Sequence, residues 1–120
     1  MHNKILLLDH DNGILNLADD IMYYGYSDLY ICSDFRSMPQ QVKLVLPDLI
    51  IWDCSELDKE EAAIYKSIKF SMDLANIPII VVSPFENKYL NNDENNPDIV
   101  VLKPITADDL SARIEYLLAS

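Results

Sequence analysis

The sequence predicts an α/β domain: a doubly wound, five-stranded parallel sheet with helices on both faces. Three observations lead there. Five short apolar runs lack the alternation of a half-exposed strand, as strands covered on both faces do. Between them, apolar residues recur at helical spacing. Strand and helix then alternate along the whole chain, which calls for parallel strands joined by right-handed crossovers. At 120 residues, half of them hydrophobic, the chain has material for one core and a single domain over residues 1–120.

Ile5 to Leu8 is the first run, ended by the polar stretch Asp9, His10, Asp11, Asn12, Gly13. Ile14, Leu17, Ala18, Ile21 and Met22 follow at helical spacing, and Gly25 provides a stop. Leu29 to Cys32 reads as the second strand. A weaker helix opens near Pro39, tolerated in a first turn, with Val42, Val45 and Leu46 as its apolar positions. Leu49 to Asp53 is the third strand, and it ends in a carboxylate.

A long helix is predicted from about Leu57 to Ala75, with Ala62, Tyr65, Ile68, Met72 and Ala75 along one face. Ile77 to Val82 is the fourth strand, with Pro78 near its start, where proline costs least. Pro84 to Pro97 carries five asparagines, a composition that predicts a short or distorted fourth helix. Ile99 to Leu102 is the fifth strand. Thr106 can cap the last helix, with Asp109 three residues on as an approximate capping box. Leu110, Ile114, Leu117 and Leu118 form its apolar stripe.

Twenty acidic residues against nine basic ones give a formal net charge of -11. Such a balance repels phosphate backbones and anionic lipid, which argues against direct nucleic-acid or membrane binding. It suits a basic protein face or a divalent cation, and it also keeps a small domain soluble. Cys32 and Cys54 are too few for a disulfide framework or a zinc site and read as small hydrophobes. No stretch reaches the length of a membrane span, and Met1 leads into a strand without the order of a signal peptide. The expected compartment is the cytoplasm.

In a doubly wound sheet, ligands bind beyond the carboxyl ends of the strands, where the strand order reverses. Asp9, His10 and Asp11 stand there after strand one, Asp53 after strand three, Ser83 after strand four and Lys103 after strand five. Carboxylates suit a hard cation such as Mg2+, which keeps several of its waters. A lysine and a hydroxyl opposite it can hold phosphoryl oxygens, and an aspartate between them can be the nucleophile. Each residue alone also has an ordinary reading as a turn former, helix cap or surface side chain. Their joint placement favours a site.

Over essentially its full length the chain resembles a response-regulator receiver domain of two-component signalling. The matching pieces are Lys4 to Asp9 (KILLLD), Pro47 to Asp53 (PDLIIWD), Ile77 to Ser83 (IPIIVVS) and Val100 to Pro104 (VVLKP). The resemblance implies a flavodoxin-like strand order 2-1-3-4-5 and a signalling domain rather than an enzyme. It implies that Asp53 accepts a phosphoryl group from a sensor histidine kinase or phosphotransfer protein. Mg2+ would be held by Asp9, Asp53 and the carbonyl of Ser55, with His10 or Asp11 as the candidates for a further ligand. Ser83 would be the switch hydroxyl, and Lys103 would pair with the phosphoryl group ahead of a cis bond to Pro104.

Four features depart from the family pattern. His10 stands where a second acid is usual, and neutral imidazole is a poor partner for Mg2+. Pro84 follows the switch serine and lacks the backbone N–H used there on a phosphoryl oxygen. Val100 replaces the switch aromatic, and Cys54, Ser55, Glu56 and Leu57 replace the usual residues after the acceptor. The alternative is therefore a pseudo-receiver, a protein-interaction module that works without phosphorylation. A flavodoxin-like flavin carrier is disfavoured, because Gly13 and Gly25 cannot supply a glycine-rich phosphate loop.

Overall fold

The computed structural model describes residues 3–9, 15–53, 59–83, 99–102 and 105–119. Five parallel strands form one sheet in the order β2-β1-β3-β4-β5. They are β1 (Lys4–Leu8), β2 (Asp28–Cys32), β3 (Leu49–Asp53), β4 (Ile79–Ser83) and β5 (Ile99–Leu102). The predicted class and order are both observed. Among the described residues four α-helices accompany them: α1 (Leu15–Tyr23), α2 (Met38–Val45), α3 (Lys59–Lys69) and α4 (Ala107–Ala119). The expected helix between β4 and β5 falls outside the described residues.

Every residue of the central strands β3 and β4 is buried, which explains their unbroken apolar runs. Successive side chains point to opposite faces of the sheet, so two separate cores form. Leu6, Leu8, Ile50, Trp52, Ile79 and Val81 face Met38 and Val42 of α2 and Ala62, Tyr65 and Ile68 of α3. Ile5, Leu7, Leu49, Ile51, Ile80, Val82 and Val101 face Ile21 of α1 and Leu110 and Ile114 of α4. At the amino edge of the sheet, Lys4 N–H donates to the Asp48 carboxylate at 2.8 Å, and Asp48 N–H to the Lys4 carbonyl at 2.8 Å. The start of β3 is thus fixed level with the start of β1.

α4 begins as its sequence predicts: Asp109 N–H donates to Thr106 Oγ1 at 3.1 Å, closing one half of the capping box. Three expectations need correction. Met22 is exposed on α1, where Ala18 and Ile21 carry the burial. Leu46 does not pack either; it ends α2 in the left-handed region at φ 52° and is 62% exposed.

The largest difference concerns α3, which ends at Lys69 instead of continuing to Ala75. Met72, expected on the buried face, is 95% exposed, and Leu74 turns back into the core instead. A series of turns carries the chain round, with Leu74 N–H donating to Ser71 O and Ile77 N–H to Leu74 O, both at 3.1 Å. Lys69 Nζ donates to the Ile77 carbonyl at 3.2 Å and ties the helix end to the approach to β4. Length explains the stop. Eleven helical residues rise roughly 16 Å, and a five-residue strand covers about the same distance. A longer helix would overshoot the sheet edge from which β4, starting at Ile79 rather than Ile77, must begin.

Candidate functional site

The carboxyl edge of the sheet gathers the candidate residues because β1 and β3 are neighbours in space. Leu8 is level with Trp52 across the β1–β3 ladder, so the next residues, Asp9 and Asp53, stand side by side. Adjacent strands lie about 4.8 Å apart, which sets the scale of the separation. By strand alternation both carboxylates take the face that α1 and α4 cover. The β-ladder holds Asp9 through its N–H, which donates to the Cys32 carbonyl at 2.9 Å. Asp9 is 6% exposed and Asp53 only 1%.

Two buried carboxylates side by side are a costly arrangement in a chain already strongly acidic. Asp53 Oδ1 is buried and accepts no hydrogen bond from the described residues, although the residue is otherwise engaged. Oxygen donors at this spacing fit a hard divalent cation, for which one or two protein carboxylates suffice. Among the described residues no group of three or more histidine, cysteine or acidic side chains forms a fuller metal cage.

Ser83 is also buried, at 1% exposure, but does not lie level with Asp53. Val82 is the partner of Asp53 across the β3–β4 ladder, and Ser83 is one residue further along. Its strand parity is that of the opposite face, the one that α2 and α3 cover. Ser83 pairs in turn with Leu102, the last residue of β5, and Lys103 is next in the chain. Lys103, His10, Asp11, Ser55, Pro84 and Pro104 lie outside the described residues. Val100, in the usual place of the aromatic, is 39% exposed on β5.

Next to Asp53 in the chain, Trp52 makes a contact that the apolar patterning did not reveal. Trp52 is fully buried on the α2 and α3 side, facing away from the crevice as strand alternation requires. Its Nε1–H donates to Glu61 Oε2 at 2.8 Å, and its ring meets Tyr65 edge-on, with centroids 5.6 Å apart. Glu61 is only 8% exposed. The signal was present in the spacing: Glu61 lies four residues before Tyr65 and seven before Ile68, on the buried stripe of α3. Next to it Glu60 pairs with Arg36 at 2.5 Å, while the guanidinium lies 4.6 Å from the Phe35 ring centroid. Both acids sit in the first turn of α3, where the helix dipole favours negative charge.

No protein-family model and no curated protein matches the chain. Solved structures do. One similar structure is a CheY-like response regulator receiver domain protein from Methanospirillum hungatei, with a TM-score of 0.80 and 19% identity. The match covers 99% of this chain and 95% of that one. A putative response regulator from Chloroflexus aurantiacus matches over 100% of both chains, with a TM-score of 0.76 and 18% identity. A third is the receiver domain of a sensor histidine kinase from Pseudomonas aeruginosa, described with a magnesium ion coordinated in its active-site cleft. It covers 100% of both chains, with a TM-score of 0.74 and 18% identity. At these identities the likeness establishes the fold.

Proposed function

We propose, starting from a chain that has the fold of a receiver domain, that it serves two-component signalling by accepting a phosphoryl group on Asp53. The observation that carries the reading is the buried pair Asp9 and Asp53, level with each other on neighbouring strands at the carboxyl edge of the sheet. In this reading Asp53 Oδ attacks the phosphorus of a phosphohistidine on a sensor kinase or phosphotransfer protein. The new P–O bond forms as the P–N bond breaks, and the imidazole nitrogen leaves with the electron pair and takes up a proton.

Asp9 and Asp53 would hold Mg2+, with the Ser55 carbonyl as a further ligand; the ion supplies positive charge for the equatorial oxygens. Ser83 and Lys103 would complete the cradle, the first as donor and the second as counter-charge. Burial of Asp53 in the sheet edge shields the acyl phosphate from water. The domain then acts as the acceptor and carrier of a signal in the cytoplasm, not as a turnover enzyme. No described helix is long and apolar enough to cross a membrane.

The test is intact mass after incubation with acetyl phosphate or phosphoramidate, with and without Mg2+, on wild type and Asp53→Asn. One added phosphoryl group that requires Mg2+ and is absent from the variant supports the reading. Two features favour the pseudo-receiver instead: His10 in the acid position and an aliphatic, part-exposed Val100. Unchanged mass, together with no thermal shift on adding beryllofluoride, would establish that second reading.

A further inference from the structure

We propose that Trp52 and Glu61 couple the Asp53 crevice to the first turn of α3, with Glu61 as a positioning residue for the acceptor. The inference rests on the reading of Asp53 as cation ligand and acceptor, and it names the route by which that site is regulated. Its starting point is the cost of Glu61. A carboxylate buried beside the Trp52 indole gives up most of its hydration, a cost that an apolar side chain would not carry. What Glu61 gives in return is one defined geometry.

The indole has a single polar atom, Nε1, and it donates to Glu61 at 2.8 Å. One turn further along α3, Tyr65 meets the same ring edge-on. Two successive turns of the helix therefore bear on the residue that immediately precedes the acceptor in β3. Residues 54–58 join Asp53 to Lys59, so the hydrogen bond ties the two ends of that stretch together. The Arg36–Glu60 ion pair holds the same turn of α3 from the β2 side. On the other side of the acceptor, β5 offers Val100, an aliphatic side chain without a ring to reorient. The aromatic group next to the acceptor is Trp52, and its contacts lead to α3.

Coupling between sites is reciprocal: if occupancy of the crevice changes α3, then releasing α3 changes occupancy. Magnesium affinity would be measured by titration calorimetry on wild type, Glu61→Gln and Glu61→Leu. Amide exchange over residues 59–65 would be followed with and without Mg2+. Glutamine keeps a carbonyl acceptor for the indole, whereas leucine keeps only the volume. The leucine variant should change the dissociation constant about fivefold or more while the glutamine variant stays within about twofold. The Mg2+-dependent change in exchange should persist in wild type and Glu61→Gln and be lost in Glu61→Leu.

Wild-type affinity in the leucine variant would overturn the coupling. Equal changes in both variants would also overturn it, assigning the effect to the charge of Glu61 instead. Trp52→Phe, which keeps a ring and removes the donor, should reproduce the leucine result if that variant folds poorly. Absence of Mg2+ binding by the wild type has a different meaning. It would remove the cation reading of Asp9 and Asp53, and the coupling with it.

Discussion

Asp53 is a residue whose burial opposes its charge. The residue is 1% exposed on the strand next to Asp9, and two like charges at the spacing of neighbouring strands, about 5 Å, repel by roughly 1–3 kcal/mol at the effective dielectric of a protein site. Asp53→Asn should therefore raise the melting temperature in the absence of divalent ions and should not show the further rise expected of the wild type with Mg2+. A fall in both conditions would mean that the carboxylate is fully compensated by its neighbours. Leu46 is a second residue in a costly state, an exposed leucine in the left-handed region at the end of α2. Leu46→Gly should stabilise the fold by about 0.5–1 kcal/mol, measured by urea denaturation, because only the backbone penalty is removed. A loss of stability would show that the leucine side chain carries packing that its exposure hides.

At the scale of elements, the strands were the legible part of the sequence. Covered on both faces, β3 and β4 admit little but Leu, Ile, Val and Trp, so their composition alone marks them. Helix ends were harder to read. The spacing from Ile68 to Met72 continues the stripe of α3, yet the helix has already stopped because the sheet below it has run out. A periodicity describes which face a helix would bury, not how far the neighbouring layer extends. The same limit hid Glu61, an acid on a buried stripe that accepts a hydrogen bond from an indole on another element. By contrast the cap at Thr106 was legible, because donor and acceptor lie within three residues of each other.

For the whole molecule, the candidate site was legible as a set of strand ends but not as a geometry. That Asp9 and Asp53 share a level follows from the order β1 beside β3, which the alternation of elements and the family resemblance together supply. That Ser83 stands a residue beyond that level follows from the register of β4 on β3, which no single sequence encodes openly. The sheet that creates this edge also divides the interior, and Trp52 and Asp53, adjacent in the chain, belong to different sides of it. Mutational energies should respect the partition. Ile68→Val packs in one core and Ile114→Val in the other, with no shared side-chain neighbour in either cluster. Measured by chemical denaturation, the double variant should lose the sum of the single losses to within about 0.5 kcal/mol. Larger non-additivity would mean that strain passes through the sheet. If the sum holds, one half of the interior can be repacked by substitution while the other keeps its tolerances, so sequence change can accumulate on either side independently.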